Sequence, residues 1–126
     1  MLASFNRSHS KVASLRNLAA FLIFAFDTAG PADLLVCNPK SGIAYVGHDD
    51  ANHLWVVDAA EKKVVSTVDL PSDSPEGLGF DSQGMRLFQA MKTGSIVAVV
   101  DVAINKVIEK WPTAPASSPH GIAIAP

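Results

Sequence analysis

The feature that most constrains the fold is an internal repeat with a period of 43–44 residues. The apolar run LWVVD ends at Asp58, and the similar run VAVVD ends at Asp101, 43 residues later. The sequence PEGL, which begins at Pro75, recurs 44 residues later as PHGI, which begins at Pro119. Several anchors at one period predict stacked copies of one supersecondary unit, because such a unit buries its apolar faces only against its neighbours.

Each repeat unit is predicted to contain four short strands. In the second unit, β-branched and aromatic residues are concentrated in four segments that are separated by Gly, Asn and Asp turn residues; the segments are Gly77–Phe80, Met85–Ala90, Ser95–Asp101 and Val107–Trp111. Four antiparallel strands that recur at this period are typical of a β-propeller blade. We therefore predict an all-β chain with an incomplete ring over residues 31–126. Its blades cover residues 34–71 and 76–112, and residues 119–126 form the first strand of a third blade.

The repeat resembles that of YncE-like β-propellers, whose units carry the YVTN-type repeat. The similarity rests on Asn38–Val46, Leu54–Asp58 and Pro75–Leu78, and it extends over about residues 34–126. The chain departs from the family pattern where Ser41-Gly42 replaces Asp-Gly and where Gly47-His48 follows Tyr-Val. The resemblance implies a propeller that closes with about seven blades, and it implies no particular activity.

The first 30 residues differ from the rest of the chain in charge and hydropathy. Arg7, Lys11 and Arg16 are followed by the unbroken apolar run Leu18–Phe26. A basic start and an apolar run of about 7–15 residues are typical of an export signal, whereas a transmembrane helix needs about 20 apolar residues. We therefore expect residues 1–30 to be a signal peptide or, alternatively, an N-terminal apolar helix, and we expect no stable membrane span. A signal peptide would direct the chain to the periplasm or to secretion.

Composition and motifs exclude several classes of function. The net charge is −2, so the clustered basic surface that nucleic acid requires is not expected. The single cysteine, Cys37, excludes an internal disulfide and a cysteine-based zinc cluster, and we expect it to be unreactive. The chain has no phosphate-binding loop, serine elbow or HExxH motif. We predict no catalytic residue and no cofactor other than a divalent metal ion.

Candidate ligand-binding residues occur in loops that open on one face of a propeller. These loops join second to third strands and join one blade to the next, and they carry His48, Asp49, His53, Glu76 and His120. Imidazole and carboxylate groups bind transition metals, so His48, His53 and Asp49 are candidate metal ligands. The alternative interpretation is a polar turn at residues 49–52 with solvated histidines on either side.

Glu76 allows a second interpretation that rests on resemblance. Propeller lactonases of the gluconolactonase and regucalcin type hold a divalent cation with a glutamate in an E-G-P-x-W context, and Glu76-Gly77 is similar to it in outline but lacks the proline. A calcium site would need several further oxygen ligands. The alternative is that Glu76 and His120 line a solvated channel entrance.

The remaining large side chains are predicted to be structural. Tyr45 and Phe88 occupy matching repeat positions and are expected in the core, and Trp55 and Trp111 are expected to pack between blades. Two blades leave apolar faces and strand edges uncovered. The chain is therefore expected to be a fragment of a longer protein, a unit that associates with its own copies, or a truncated product without a stable function.

Two classes of function remain open from the sequence. The first is a non-catalytic extracytoplasmic propeller module that binds a protein or a small molecule at its channel mouth. The second is a fragment of a propeller enzyme, either a lactonase or the propeller part of a dehydrogenase. We favour the first class, because no set of acid, base and metal ligands is complete, and a propeller fold by itself does not specify an activity.

Overall fold

Strands are the only regular secondary structure in the computed structural model, which describes residues 10–11, 15–17, 20–22, 27–28 and 32–126. Near the start of the chain, β1 (Ser10–Lys11) pairs with β4 (Asp27–Thr28), and β2 (Leu15–Asn17) pairs with β3 (Ala20–Leu22). The rest of residues 1–30, for which a signal peptide or an apolar helix is predicted, lies outside the described residues. The described ranges contain no helix that is long and apolar enough to span a membrane.

Residues 32–112 form two four-stranded antiparallel sheets, which we call blade 1 and blade 2. Each blade is a meander in which consecutive strands are neighbours. Blade 1 contains β5 (Leu34–Cys37), β6 (Ile43–Gly47), β7 (His53–Asp58) and β8 (Lys63–Asp69). Blade 2 contains β9 (Pro75–Phe80), β10 (Arg86–Met91), β11 (Ile96–Asp101) and β12 (Lys106–Pro112). The predicted fold class is confirmed, and the predicted strand ends of the second unit differ from the observed ones by at most two residues.

The repeated aspartates form the turns at one end of each blade. Asp58 Oδ1 accepts hydrogen bonds from the backbone N–H groups of Ala60 and Glu61, and Asp101 Oδ1 accepts one from Ala103. Short acceptor side chains stabilise such turns by bonding to the backbone that follows them. The repeat anchors Asp58 and Asp101 are therefore explained by turn formation.

Both outer strands contain a β-bulge at the same repeat position. The pairing of β7 with β8 shifts between Val56 and Val57, which leaves Val65 as the extra residue. The pairing of β11 with β12 shifts between Val99 and Val100, and Ile108 is the extra residue there. Val65 and Ile108 are 43 residues apart, so the bulge belongs to the repeat unit and not to one blade.

The main core lies between the two blades. Each sheet turns one face toward the other, and the buried side chains of these faces are Tyr45, Leu54, Val56, Val68, Leu70, Leu87, Met91, Ala98 and Val100. Tyr45 of blade 1 contacts Phe80 of blade 2 edge to face, with ring centroids 5.5 Å apart. The predicted core position of Tyr45 is confirmed, and the two sheets are packed face to face as blades.

The two tryptophans do not lie between blade 1 and blade 2. Trp55 is buried in a second cluster on the other face of blade 1, together with Ala44, Val46 and Val57. Trp111 is 43% exposed on the face of blade 2 that points away from blade 1, beside the half-buried Phe88. The expectation that Trp111 packs between blades is wrong for the described residues, because its strand position faces outward and blade 1 contacts the opposite face.

Residues 119–126 run alongside β9, the first strand of blade 2. The Gly77 N–H donates to the carbonyl oxygen of His120 over 2.6 Å, and a Cβ on Gly79 would lie 3.1 Å from Ile124 Cγ1. The segment occupies the side on which a next blade would pack. The segment does not form a β-strand. The first strand of a blade pairs with the second strand of the same blade, and residues 32–126 contain no such partner for it.

Candidate functional site

The strand order brings the predicted site loops to one face of the molecule. Leu34 pairs with Gly47, and Pro75 pairs with Met91. The starts of the inner strands therefore lie at the same end as the loops between second and third strands. We call this end the connection face; it carries residues 32–33, 48–52, 70–76 and 92–95. The opposite end is the turn face, which carries residues 38–42, 59–62, 81–85 and 102–105.

Three side chains converge on the connection face of blade 1. His48 Nδ1 lies 2.6 Å from Asp33 Oδ2 and 3.7 Å from Asp49 Oδ1. One potential ligand atom from each of Asp33, His48 and Asp49 lies within 4.8 Å of the others. Asp33 precedes β5 and His48 follows β6, so the pairing of these two strands brings them together. We call these three residues the Asp–His cluster.

The two carboxylates of the Asp–His cluster influence each other's protonation. The hydrogen bond from His48, and then that involving Asp49, lowers the pKa of Asp33 below its ordinary value of 3.8. The pKa of Asp49 is raised, chiefly because it shares a hydrogen bond with Asp33. Two acidic groups in contact ionise at different pH values, since a second negative charge is disfavoured beside the first.

The structure separates the two histidines of the predicted site. His53 does not belong to the Asp–His cluster; its ring packs edge to face on Trp55, with centroids 5.4 Å apart. Asp50 also approaches His48: its Oδ2 lies 3.7 Å from His48 Nε2, and its side chain is exposed. Of the sequence candidates in this loop, His48 and Asp49 therefore share a site, and His53 lies apart from them.

Glu76 and His120 form a second pair on the connection face. Glu76 Oε2 lies 3.4 Å from His120 Nδ1, and the Glu76 side chain is 23% exposed. The adjacent backbone bond from Gly77 to His120 holds the two residues together. A carboxylate next to Nδ1 orients an imidazole and leaves Nε2 toward solvent. The pair contains two potential ligand groups, one fewer than the Asp–His cluster.

Asp33 is the site residue that sequence reasoning missed. The signal was present in the repeat, because Asp33 precedes Glu76 by 43 residues, and Glu76 precedes His120 by 44. Asp33 lies directly before β5, Glu76 is the second residue of β9, and His120 is the second residue of the segment 119–126. The second unit has Met91 and Lys92 at the positions of His48 and Asp49, so the cluster itself is not repeated.

The geometry of the Asp–His cluster fits a transition-metal ion better than calcium. One imidazole nitrogen and two carboxylates are ligands that zinc and nickel accept, whereas calcium takes six to eight oxygens. The His48–Asp33 hydrogen bond would have to open by about 0.7 Å, because ligands of a tetrahedral ion at about 2.0–2.2 Å lie roughly 3.3 Å apart. The separation of His48 from Asp49 already allows this geometry.

Cys37 behaves as a structural residue. It is half-buried in β5, and burial raises the pKa of its thiol to about 11. A thiol in this state is a poor nucleophile, because the thiolate is the reactive form. The predicted lack of reactivity of Cys37 agrees with this environment.

Comparison with solved structures supports the propeller architecture. Hydrazine synthase from Kuenenia stuttgartiensis matches with a TM-score of 0.67 and 23% identity over 73% of this chain and 25% of that chain. Apo AztD from Citrobacter koseri matches with a TM-score of 0.70 and 14% identity over 91% of this chain and 31% of that chain. Both are β-propeller-type proteins. This chain spans about a quarter to a third of their length, and identities this low show similarity of fold alone.

The sequence comparisons do not identify a family. No family model matches the chain, and no curated protein matches it significantly. The YncE-like resemblance therefore stays a prediction, while the β-propeller type of its fold is supported.

Proposed function

We propose that this chain is part of a non-catalytic, extracytoplasmic β-propeller that binds a ligand at its connection face, and that a divalent transition-metal ion is the ligand for the Asp–His cluster. The observation that carries the proposal is the convergence of Asp33, His48 and Asp49 within 4.8 Å. Rigid propeller strands position these loop side chains, and loops on such scaffolds commonly carry binding residues. Protein or small-molecule ligands would then contact the metal or the neighbouring loops.

Electrostatics supports a cation at this position. The cluster contains two carboxylates and one imidazole ring, so a divalent ion would offset the negative charges that disfavour each other in its absence. The imidazole favours zinc or nickel over calcium, because nitrogen ligands suit transition metals. We expect metal binding to weaken at acidic pH, because the ligands must be deprotonated to bind.

Metal titration of the full chain tests the proposal. Isothermal titration with Zn²⁺, Ni²⁺ and Ca²⁺ is expected to give a zinc or nickel complex and no comparable calcium complex. His48→Ala and Asp33→Asn should each weaken binding by at least about 10–100-fold, because loss of even a group that only supports a metal ligand has an effect of this size. The matched control His53→Ala removes an imidazole outside the cluster and should leave the affinity unchanged. Equal losses in all three variants, or zinc binding that none of them weakens, would contradict the proposal.

The extracytoplasmic location is tested independently of the metal. A fusion of residues 1–30 to a reporter enzyme that folds only in an oxidising compartment should be active if the basic start and apolar run direct export. A matched variant with Leu22→Arg and Phe24→Arg interrupts the apolar run and should abolish reporter activity. Activity that survives both charges would contradict export by this segment.

A further inference from the structure

A cavity of about 570 Å³ lies between the blades at the turn face. It is on the opposite side of the molecule from the Asp–His cluster, and its volume falls within the range of roughly 300–1,000 Å³ that is usual for small-ligand sites. Blade 1 contributes Ile43, Val56 and Val65 to its lining, and blade 2 contributes Met85 and Ile108. The site therefore exists only where two blades are packed against each other.

Apolar side chains are unusually exposed around this cavity. Val65, Met85 and Ile108 are 48%, 67% and 44% exposed, and all three line it. Val65 and Ile108 are the extra residues of the two β-bulges, so the same backbone irregularity brings one apolar side chain from each blade to the cavity. Exposed apolar residues gathered around a concave surface indicate an interaction site.

The polar groups at the base of the cavity already have partners. The Tyr45 hydroxyl donates to Asn105 Oδ1 over 2.5 Å, and Asn38 Nδ2 donates to the Gly84 carbonyl oxygen over 2.8 Å. Asp101, the carboxylate of the lining, accepts the Ala103 N–H in its turn. These bonds fix the base, so a ligand would not need to satisfy these groups.

Two cationic side chains at the cavity remain for a ligand. Lys40 and Arg86 both belong to the lining, and neither forms an ion pair with any residue of the range 32–126. The lining contains these two positive groups and one carboxylate, Asp101, which is the cross-strand neighbour of Arg86. The local charge therefore favours an anion, and the guanidinium of Arg86 suits a carboxylate because its donors match that geometry.

We propose that this interblade cavity binds an amphipathic organic carboxylate. The apolar chain of the ligand lies against Val65, Met85 and Ile108, and its carboxylate binds Lys40 and Arg86. This inference goes beyond the proposed function, because it concerns the other face of the molecule and requires no metal ion.

The test uses decanoate as the probe, with the full chain in the presence of EDTA. Isothermal titration should show that decanoate binds at least about tenfold more tightly than decylamine, which has the same chain length and the opposite charge. Met85→Ser combined with Ile108→Ser should weaken decanoate binding about tenfold or more. Lys40→Gln combined with Arg86→Gln should remove the preference for decanoate. Ile104→Ser and Lys92→Gln change matched side chains outside the lining and should leave the affinity unchanged.

Three outcomes would overturn the proposal. The first is equal affinity of the wild-type chain for decanoate and decylamine, or no binding of decanoate. The second is an equal loss of decanoate binding in Ile104→Ser and in the Met85/Ile108 variant. The third is a dimer that the Met85/Ile108 variant dissociates and that excludes decanoate, because a second copy of the chain would then occupy the cavity.

Discussion

At the scale of single residues, Asn38 joins the two blades through one buried side chain. Asn38 is 5% exposed; its amide nitrogen donates to Gly84, and its Oδ1 accepts the Lys40 N–H over 2.8 Å. Gly84 has a φ of +68°, and a Cβ at this position would collide with Asn38 Oδ1. The glycine is therefore required both by the turn and by the close approach of the asparagine.

Removing this amide should lower stability. Asn38→Ala leaves the Gly84 carbonyl oxygen without its partner, so we expect the free energy of unfolding to fall by about 1–3 kcal/mol. Denaturant unfolding followed by tryptophan fluorescence measures the change. Ser41→Ala, which removes an exposed 3.3 Å bond in the same turn, is the control and should cost less than about 0.5 kcal/mol. Equal costs for the two variants would show that Asn38 does not connect the blades energetically.

The Asp–His cluster should have a distinct titration order. The pKa of Asp33 is lowered by its hydrogen bond to His48, and that of Asp49 is raised. The stability that Asp33 contributes is therefore present above pH 3.8 and is lost as the pH falls through its lowered pKa. Carboxyl-carbon NMR should show Asp33 titrating at lower pH than Asp49.

Two histidine variants test whether the contact with His48 causes this titration order. His48→Ala removes the first contribution to the shift, so the pKa of Asp33 should rise toward its ordinary value. His53→Ala, whose imidazole packs on Trp55, should leave both titrations unchanged. A titration of Asp33 that is the same in His48→Ala and in the unmodified chain would contradict the cluster geometry.

At the scale of elements, the segment 119–126 depends on two glycines of β9. Gly79 leaves space for Ile124, and at Gly77 the approach is closer, because a Cβ would lie 2.8 Å from the His120 carbonyl oxygen and 2.9 Å from the Ile122 nitrogen. Backbone can come this close to a strand only where the side chain is absent. Gly77 and Gly79 therefore have a packing role within β9.

A methyl group at Gly77 should displace the segment. In Gly77→Ala, the bond between residue 77 and the His120 carbonyl is lost, and we expect hydrogen exchange at residue 77 to become about tenfold faster, as the loss of one hydrogen bond would allow. Gly121→Ala is the control, because no atom lies within 4 Å of its Cβ position. Unchanged exchange in Gly77→Ala would mean that the segment does not rest on β9 in solution.

The strands illustrate what a local pattern can and cannot predict. The four strands of the second unit follow from β-branched density and turn residues, which act over a few neighbouring positions. The bulges at Val65 and Ile108 do not follow from that pattern, since the adjacent apolar pairs Val64-Val65 and Val107-Ile108 do not by themselves specify a bulge. A bulge depends on how a strand matches its partner, and this match is a property of the sheet.

At the scale of the whole molecule, the two blades cover each other on one side only. The rings of Phe88 and Trp111 are in contact on the outward face of blade 2, tilted by 41° with centroids 5.4 Å apart, and Trp111 is exposed. Tyr45 and Val68 occupy the equivalent positions of blade 1, 43 residues earlier in the chain, and both are buried between the blades. The outward face of blade 2 therefore has the character of a blade interface without the next blade.

This open face should promote self-association of the chain. We expect Trp111→Gln to weaken association about tenfold or more, because exposed aromatic side chains contribute strongly to protein contacts. Sedimentation velocity over a concentration series measures the change. Ile104→Gln, which alters an exposed apolar residue in another part of blade 2, should leave association unchanged. A monodisperse monomer at all concentrations, for the unmodified chain, would show that this face needs no partner.

Local sequence patterns predict the blade repeat, the four strands of the second unit, and the loop that carries His48 and Asp49; Glu76, predicted in a loop, is the second residue of β9. These features follow from local periodicity and turn chemistry, which operate within a few residues. Three features are not predictable from local patterns: Asp33 joins His48 while His53 does not, Trp111 faces outward, and a cavity opens between the blades. These features depend on strand pairing and on which faces of the sheets meet, and such contacts join residues that are distant in the chain.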